Sequence, residues 1–449
     1  MQEEFTVVDM FCGAGGESTG IKLAAQELGI NVRLTAINHW DRAIETHAAN
    51  HPDAEHLCQS VEHIDPVKAV PGRRLDLLWA SPECTHHSVA RGGRPRSDQS
   101  RASAWLILKW LSELYVERVI IENVPEFISW GPLDGTGRPV QSQKGKTFRA
   151  FVASLRSLGY SADWKVLTAA DYGDPTTRRR LFIQAVKGRK RILWPEITHM
   201  DGAENLMGYK PWRPAREIID WSVPGTSIFD RKRPLAEATI RRIAAGIEKY
   251  WKDYAKPFLA VLYGTGNTQS LDLPLSTITS SGAHHALIEP FIMSIAHSSA
   301  KKRNRSIDDP LSTVVGKQEH CLIEPLLVEY HGTSKPFPVS LPVKTVTTKD
   351  RFGLLEPFLL KVNHAGGHRV ASIDSPLKTL TTKRDTAICY PTYSLDIRFR
   401  MLKNHELKLA QGFPDDYQIT GNITEQTKQI GNAVPVNTAK ALALAVMGA

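Results

Sequence analysis

The sequence predicts an α/β fold: a doubly wound parallel sheet with an inserted, mainly β region. Over the first 190 residues, short apolar runs alternate with amphipathic helical stretches, the order that builds parallel βαβ units. From about residue 256, four copies of a ~33-residue pattern follow, each with a Pro boundary and a Thr-rich triplet, which is typical of short strands and turns. A helical pattern returns after Asp396 and ends in an Ala-rich stretch.

Composition narrows the class of protein before any motif is considered. The 449 residues are enough for two domains, and 42% hydrophobic against 23% charged residues is the balance of a globular protein. No apolar run approaches the ~20 residues of a membrane span, and the acidic N-terminus leads straight into a strand, so neither a membrane protein nor a secretory signal is expected. The five cysteines lack CxxC spacing, which predicts a reducing cytoplasm, no disulfides and no metal site. The formal net charge of +9 favours an anionic partner such as nucleic acid.

Each element of the α/β part follows from its own pattern. The strand candidates are Phe5–Met10, Val32–Asn38, Leu75–Ala80, Arg118–Glu122, Ser161–Ala169 and Arg180–Val186. Two of them, Leu75–Ala80 and Arg118–Glu122, are apolar enough to be buried on both faces, as parallel strands usually are. Helices are predicted over Glu17–Leu28, from Asp41, over Ala104–Leu114, and where Phe148, Phe151, Val152, Leu155 and Leu158 recur at helical spacing.

A glycine-rich turn joins the first strand to the first helix. It runs Asp-Met-Phe-Cys-Gly-Ala-Gly-Gly over Asp9–Gly16, and its glycines let a ligand approach the backbone closely. The free N–H groups at the start of the helix favour a carboxylate or a phosphate. No Gly-Lys-Ser or Gly-Lys-Thr follows, which argues against a phosphate-binding P-loop. The turn is therefore either a nucleotide site or a tight structural turn.

Reactive side chains follow or precede three other strands. Cys84 lies just beyond Leu75–Ala80, at the edge where open α/β sheets place their ligands, and there it is either a nucleophile or a small core residue. Glu122 closes the next strand, either as an acid that protonates a substrate nitrogen or as a surface carboxylate. The run Arg178–Arg180 precedes another strand, where it contacts a substrate or forms a solvated basic turn.

Taken in this order, these segments resemble the motifs of the cytosine-C5 DNA methyltransferase family, as found in bacteria and phages. Asp9–Gly16 is similar to its cofactor loop, Cys84 lies in its nucleophile segment, and Glu122-Asn123-Val124 reproduces its acidic motif unaltered. The stretch Asp171–Arg180 resembles its arginine motif. The last two motifs are matched by Arg400, Glu406, Gln411–Asp416 and Gln429–Pro435. Six ordered motifs cover residues 5–187 and 396–449.

The resemblance implies a Rossmann-like, S-adenosylmethionine-dependent methyltransferase domain. Residues 1–190 would form its first part and residues 396–449 would complete it, with the last helix packed back beside the first strand. S-adenosylmethionine is the implied cofactor. The residues implied to bind it are Asp9, Phe11, Cys12, Gly13, Ala14, Gly15, Gly16, His39, Trp40, Ser60, Pro82, Asn432, Ala433 and Val434.

The implied reaction methylates C5 of a cytosine that has been flipped out of duplex DNA. Cytosine C5 becomes nucleophilic only after addition at C6, and the thiolate of Cys84 is the implied attacking group. Glu122 would stabilise the proton at N3, Arg180 would hold O2, and Arg178 would lie nearer to the phosphates. After methyl transfer, a base would remove the C5 proton and the enzyme would leave by β-elimination.

Basic residues in two other places are predicted to contact DNA. The loop after Cys84 combines a Gly-Gly pair with three arginines, which suits either a mobile lid over the DNA backbone or a solvated loop. A basic helix is predicted over Arg231–Trp251. The predicted DNA-binding residues are Ser88, Arg91, Arg94, Arg96, Arg241 and Arg242.

Four positions depart from the family pattern. Glu83 stands where the family usually has a proline before the nucleophile, and Thr176 replaces a customary glutamine in the arginine motif. His39 replaces the acid that binds the ribose hydroxyls, and Ser60 lies about where an aspartate accepts the adenine amino group. Trp40 remains available to pack on the adenine. We therefore expect a cofactor pocket with a weaker dependence on the ribose hydroxyls.

The region 191–395 occupies the position of target recognition in this family. Its four repeats, from about residue 256, are either a β scaffold that presents loops to the major groove or structural filling, with recognition confined to Trp194–Trp251. The expected enzyme is a monomer that acts on double-stranded DNA in the cytoplasm of a bacterium or a phage-infected cell. A cognate restriction endonuclease is an open possibility.

Two other classes of protein stay open. One is an RNA (tRNA) methyltransferase of the same chemistry, which the long middle region disfavours because a small RNA substrate would not need it. The other is a non-catalytic DNA-binding relative, which the presence of Cys84, Glu122 and Arg180 disfavours.

Overall fold

The computed structural model describes the chain in separate stretches. They are residues 4–82, 99–132, 134–135, 139–202, 208–223, 225–228, 231–236, 239–240, 258–261, 268–277, 285–289, 292–293, 304–305, 326–329, 337–338, 352–353, 358–361, 369–372, 386–389 and 398–448. The chain divides into two compact units. The first comprises Met1–Asp220, Leu271–His284 and Leu402–Ala449, and the second comprises Trp221–Ser270 and His285–Met401. The assignment of residues 191–395 to target recognition stays a prediction.

A seven-stranded sheet forms the centre of the first unit. Its strands are β1 (Phe5–Met10), β2 (Val32–Asn38), β3 (Glu55–Cys58), β4 (Arg74–Ala80), β5 (Tyr115–Asn123), β6 (Tyr160–Thr168) and β7 (Arg179–Lys187). They lie in the order β3-β2-β1-β4-β5-β7-β6. Strands β1 to β5 are parallel, whereas β7 lies between β5 and β6 and is antiparallel to both. All six predicted strands are confirmed, and the short edge strand β3 is the one that the apolar pattern missed.

Helices cover both faces of this sheet. They are α1 (Gly16–Leu28), α2 (Asp41–Asn50), α3 (Pro66–Ala69), α4 (Gln99–Glu113), α5 (Lys146–Ser157), α6 (Asn404–Ala410), α7 (Ile423–Asn432) and α8 (Val436–Met447). Short 3₁₀ turns lie at Val61–His63, Pro125–Ser129, Gln141–Gln143, Ala169–Tyr172 and Ala215–Ile218. The four helices predicted in the first 190 residues are confirmed, although α4 and α5 begin before their apolar stripes. The helix predicted over Arg231–Trp251 lies largely outside the described residues.

The doubly wound arrangement is visible in how consecutive strand residues are buried. Val7 packs with α1 and α8 on one side of the sheet, and its neighbour Val8 packs with α4 and α5 on the other. Leu77 and Leu78 divide between the two sides in the same way. Because successive side chains of a strand point to opposite faces, a strand that is covered twice must be apolar throughout.

The C-terminal helix α8 packs against α1, beside β1 as predicted. A Cβ on Gly20 would lie 2.5 Å from the Cβ of Ala439, so the two helices approach as closely as a glycine allows. Within Ile423–Met447, the range of α7 and α8, one 18-residue stretch is apolar enough to resemble a membrane span, but 67% of that stretch is buried inside the fold. That burial is the pattern of core helices, because a spanning helix would expose its apolar side chains.

The remaining strands are short. Those of the first unit are β8 (His199–Met200) and β9 (Lys210–Pro211); the second unit has β10 (Thr226–Ser227), β11 (Phe258–Val261), β12 (Thr268–Ser270), β13 (His285–Glu289), β14 (Ile292–Met293), β15 (Asn304–Arg305), β16 (Leu326–Glu329), β17 (Phe337–Pro338), β18 (Phe352–Gly353), β19 (Phe358–Lys361), β20 (Arg369–Ser372), β21 (Thr386–Cys389) and β22 (Arg398–Met401). In three repeats the strand after the Pro boundary is central, with later strands antiparallel on either side: β11 between β12 and β13, β16 between β17 and β18, and β19 between β20 and β21. The predicted β character of the repeats is confirmed.

Candidate active site

Five predicted site residues, each at or just after the end of a different strand, lie at one edge of the sheet, because the carboxyl ends of parallel strands meet there. They are Asp9 near the end of β1, His39 after β2, Ser60 after β3, Pro82 after β4 and Glu122 at the end of β5. Strand β7 is antiparallel to β5, so its first residues come to this same edge. Because β7 is reversed, the end of the arginine motif at Arg180 lies next to Glu122 in the acidic motif.

The chain turns sharply between β1 and α1. Phe11 and Gly15 both adopt positive φ, 62° and 83°, and positive φ is uncommon for a bulky residue such as phenylalanine. A Cβ on Gly16 would lie 2.1 Å from the carbonyl oxygen of Val434, so only glycine fits at this position. This close approach places the segment 432–434, which begins at the end of α7, beside the loop. Two parts of the predicted cofactor site are thus brought together.

The turn between β1 and α1 is fixed by hydrogen bonds to its buried residues Cys12 and Ala14. The Cys12 amide donates to the carbonyl of Ile37 at 3.2 Å, and the hydroxyl of Tyr417 donates to the carbonyl of Ala14 at 2.6 Å. Burial, reinforced by the nearby Asp9 carboxyl, raises the pKa of the Cys12 thiol well above its usual value. Cys12 is therefore a neutral packing residue of the loop and not a thiolate.

Asp9 is a fully buried carboxyl group at this turn. Its Oδ2 accepts a hydrogen bond of 2.6 Å from the Ser18 hydroxyl, whereas its Oδ1 accepts none from the residues that the structure describes. Burial raises the pKa of Asp9 to about 7, partly offset by the bond from Ser18. A buried acceptor without a donor costs free energy, so this atom suits a ligand that brings an N–H group or a positive charge.

The residues predicted to bind the adenosine part of the cofactor follow β2 and β3, and their roles stay predictions. His39 is exposed at the end of β2 and Ser60 is half-buried. Trp40 is the residue immediately before α2, and its amide donates to the Asn38 side chain at 2.9 Å. The ammonium of Lys428 lies 4.3 Å from the centroid of the Trp40 ring. This cation–π contact joins α7 to the predicted adenine platform, and the sequence offered no signal for it because the two residues are far apart in the chain.

Glu122 and Arg180 form an ion pair, with 2.9 Å between Oε1 and Nε. Their side chains are only 10% and 17% exposed, so solvent screens the pair weakly. The register explains the contact, since Glu122 lies opposite Phe182 across the β5–β7 pair. The sequence identified both residues, but only the antiparallel insertion of β7 makes them neighbours.

Arg178 is buried, in contrast to Arg180. Its Nη1 donates to the carbonyl of Gly431 at 2.9 Å, and burial lowers its pKa to about 9. Nearby, the carboxylate of Asp174 accepts hydrogen bonds from the backbone and side chains of Asn437 and Thr438, at the start of α8. These contacts fasten the arginine motif to the last motif. A contact of Arg178 with DNA phosphates stays a prediction.

Residues 173–178, which precede β7 and which we call the arginine loop, have a second set of backbone contacts that the motifs did not predict. The Thr177 amide donates to the carbonyl of Leu275 at 2.6 Å, and the Leu275 amide donates to the carbonyl of Pro175 at 2.8 Å. Leu275 is fully buried. It lies in the Pro-Leu-Ser-Thr part of the first repeat, and we call residues 271–277 the brace segment. The brace segment also accepts hydrogen bonds through Leu271 and Leu273 from the amides of residues 216 and 215.

Several predicted site residues lie outside the described residues. These are Cys84 with the neighbouring Glu83, and the predicted DNA contacts Ser88, Arg91, Arg94, Arg96, Arg241 and Arg242. Their roles stay predictions. Pro82, the last described residue before this stretch, is buried at the carboxyl end of β4.

A parallel sheet with a reversed strand, a glycine-rich turn after β1 and polar side chains at one edge define a Rossmann-like protein of the methyltransferase class. The sequence model of the C-5 cytosine-specific DNA methylase family matches residues 5–211 and 344–447, more than half of the chain. The chain belongs to that family, which confirms the resemblance found in the motifs.

Curated relatives include bacterial and plant proteins. The type II methyltransferase M.AgeI of Thalassovita gelatinovora is 32% identical over 202 residues, which is 43% of this chain and 42% of that protein. The type II methyltransferase M.SacI of Streptomyces achromogenes is 30% identical over 217 residues, 45% of this chain and 53% of that protein. The DNA (cytosine-5)-methyltransferase 1A of Oryza sativa subsp. japonica is 24% identical over 97% of this chain and 28% of its own length. The chain thus spans about half the length or less of these relatives.

Solved structures give the same fold. Spodoptera frugiperda DNMT2, crystallised as a triple mutant, is similar with a TM-score of 0.51 and 12% sequence identity, over 99% of this chain and 100% of that one. At this identity the similarity concerns the fold alone.

Proposed function

We propose that this protein transfers a methyl group from S-adenosylmethionine to C5 of a cytosine in double-stranded DNA. The observation that carries the proposal is the Glu122–Arg180 pair, 2.9 Å apart and shielded from solvent, at the edge of the sheet that also holds the glycine-rich turn. A guanidinium can donate to O2 of a cytosine, and a neighbouring carboxylate can accept a hydrogen bond from a proton carried on the adjacent ring nitrogen, N3. Family membership supports the reaction type.

The described residues fit the proposed cofactor. Its methionine part carries an ammonium group, and the buried Oδ1 of Asp9 lacks a donor among the described residues. There is no room for a side chain on Gly16 beside Val434. The turn therefore presents backbone atoms at this point, which a ligand can approach closely. Trp40 offers an aromatic face for the adenine, with Lys428 against its ring. When bound, S-adenosylmethionine supplies an electrophilic methyl group.

The proposed roles of the protein groups follow from their chemistry. The Cys84 thiolate would add to C6 of the base, which makes C5 nucleophilic. Glu122 would hold the proton at N3 as negative charge is drawn into the ring, and Arg180 would donate to O2. In the free protein the two side chains neutralise each other, so neither charge is left alone in a shielded site.

Double-stranded DNA is proposed as the substrate over RNA. The formal net charge of +9 supports a nucleic acid, and two bacterial relatives are named type II methyltransferases. Such a name supports, for this chain, a cytoplasmic role in restriction and modification, with a cognate endonuclease as the proposed partner.

The test is incorporation of a labelled methyl group into two substrates. Duplex DNA and tRNA are offered separately with labelled S-adenosylmethionine, and the modified base is identified by mass spectrometry after digestion. We expect 5-methylcytosine in the duplex and none in tRNA. Label in tRNA alone would replace the DNA proposal, and label in neither would favour a non-catalytic relative.

A further inference from the structure

A continuous chain of hydrogen bonds leads from the buried Asp9 to the edge strand β3. The Ser18 hydroxyl lies 2.6 Å from Asp9 Oδ2, and His47 Nε2 lies 2.9 Å from the same hydroxyl oxygen. His47 Nδ1 lies 2.9 Å from Nε2 of His56, which is half-buried on β3. Asp9, Ser18 and His47 are all buried from solvent. The chain therefore links the turn that precedes α1 with the protein surface.

The direction of each bond follows from the charge of Asp9. An ionised carboxylate only accepts, so the single proton of the Ser18 hydroxyl points to Asp9. The Ser18 oxygen must then accept from His47 Nε2–H, which leaves Nδ1 of His47 as an acceptor for Nε2–H of His56. If Asp9 is protonated and donates to Ser18, every bond reverses, and His47 carries its proton on Nδ1. The two states differ in the tautomer of His47 and not in its charge.

Burial keeps the His47 ring neutral, which the chain requires. Desolvation lowers the pKa of His47 well below its usual value, with smaller effects from His51 and His56. Thr19 bonds the second buried histidine, His51, at 3.1 Å, so that ring is anchored outside the chain. The other titratable groups that face Asp9 or the histidines are Cys12, Glu17, Lys22, Asp53 and Tyr417, and Glu122 in turn faces Glu17.

We propose that Ser18, His47 and His56 are positioning residues that present a hydrogen-bond donor to Asp9 and carry its proton to the surface when a cationic group binds at Oδ1. The cofactor part of this inference rests on the proposed function, in which that cation is the ammonium of S-adenosylmethionine. In the outward step, Asp9 gives its proton to the Ser18 oxygen, and the original Ser18 proton passes to Nε2 of His47. The Nδ1 proton of His47 passes to Nε2 of His56, and His56 releases its own Nδ1 proton to water. In total one proton leaves Asp9 and one proton reaches water. The Ser18 hydroxyl and the rings of His47 and His56 each carry one proton before and after the step, and no other reactant is required.

The first experiment needs no cofactor. Protein labelled with ¹⁵N in histidine is titrated by NMR, and the tautomer of His47 is read from the two ring nitrogen shifts. We expect a neutral ring protonated on Nε2 at pH 8.5 that changes to Nδ1–H as the pH falls through about 7, the pKa of Asp9. A His47 ring that keeps one tautomer over this range would overturn the proposed path.

The second experiment measures protons released on cofactor binding. Calorimetric titrations near pH 7 in buffers of different ionisation enthalpy should show net proton release by the wild type, because burial raises the pKa of Asp9 and a bound cation favours its ionised form. His47→Leu removes the donor and should weaken binding about tenfold, the loss of one charge-assisted hydrogen bond. His47→Gln keeps an N–H group near Nε2 and should recover most of that affinity.

His63→Gln is the matched control, because His63 is exposed and lies in the same unit. It should leave the proton count and the affinity unchanged. Equal affinity in His47→Leu and wild type would remove the histidines from the cofactor site, whereas loss of binding in both His47 variants with normal thermal stability would place His47 in direct contact with the ligand. A wild type that shows the tautomer change and does not methylate DNA would refute the proposed function and leave the path intact.

Discussion

Thr177 and Leu275 are joined through their backbones, with the amide of Thr177 donating to the carbonyl of Leu275 at 2.6 Å. The first residue precedes Arg178 and Arg180, the two arginines proposed to contact the substrate, and the second belongs to the first of the four repeats. Because the brace segment pairs with the loop on both sides of Thr176, the position of the arginine loop depends on a part of the chain that the motif pattern assigns to target recognition.

Replacing Leu275 tests this dependence. Leu275→Ala removes a fully buried side chain and should lower the free energy of unfolding by about 2–4 kcal/mol, through lost burial and a cavity. We also expect the single-turnover methylation rate to fall more than the affinity for DNA, because the loop leads directly into β7, which carries Arg180. Leu273→Ala is the control, since Leu273 is 44% exposed in the same segment. Equal single-turnover rates in the two variants would mean that the brace segment contributes to stability and does not position the arginine loop for the reaction.

Glu122→Gln should lower the rate of the chemical step by roughly 10²–10⁴, the usual contribution of a general acid or base. The amide cannot release or hold a proton at N3, and it leaves Arg180 without its counter-ion. Cofactor affinity should change little. The measurement is a single-turnover methylation assay, with Glu126→Gln as a control in the adjoining turn. A normal rate would exclude Glu122 from the reaction.

Cys84→Ser should abolish turnover and leave DNA binding near normal, because a hydroxyl is a far poorer nucleophile at neutral pH. DNA that carries 5-fluorocytosine should trap the wild type covalently, since fluorine cannot leave C5 as a cation. The adduct is detected by denaturing gel and peptide mass spectrometry. Cys58→Ser, at an exposed cysteine, should still be trapped. Methylation without trapping would assign the attack to another group.

His39→Glu should strengthen cofactor binding. A carboxylate makes charge-assisted hydrogen bonds with ribose hydroxyls, each worth about 1.5–3 kcal/mol, whereas a neutral imidazole nitrogen accepts one ordinary bond. Calorimetry should show that the wild type discriminates weakly against a cofactor analogue without the 2′-hydroxyl and that the variant discriminates strongly. The exposed His63, changed to Glu, controls for added charge. Identical discrimination in wild type and His39→Glu would mean that His39 points away from the ribose.

The double substitution of Arg241 and Arg242 by alanine should weaken DNA binding and flatten its salt dependence. Removing two phosphate contacts lowers the slope of log K against log salt by about 1.8, or 0.9 for each contact. Binding is measured by fluorescence anisotropy at several salt concentrations. Arg33→Ala, at an exposed arginine on β2, should keep the wild-type slope. An unchanged slope in the double variant would mean that Arg241 and Arg242 do not contact phosphates and that DNA is bound by other residues of the region 191–395.

The local features of this protein could be predicted from its sequence. Strands buried on both faces must be apolar throughout, so the pattern located β1 and β4 without a structure. A glycine-rich turn between strand and helix is also a local signal, because Gly16 is required by a single close contact. The order of the motifs was enough to predict the family that the sequence model later confirmed.

Contacts between distant parts of the chain were decided by the tertiary structure alone. The orientation of β7 has no signature in its own residues, yet it brings Arg180 to 2.9 Å from Glu122. The contact of Lys428 with Trp40 likewise depends on where α7 packs. The same holds for the chain from Asp9 through Ser18 to the histidines, since hydrophobic periodicity describes one element at a time and hydrogen bonds between elements depend on how those elements pack.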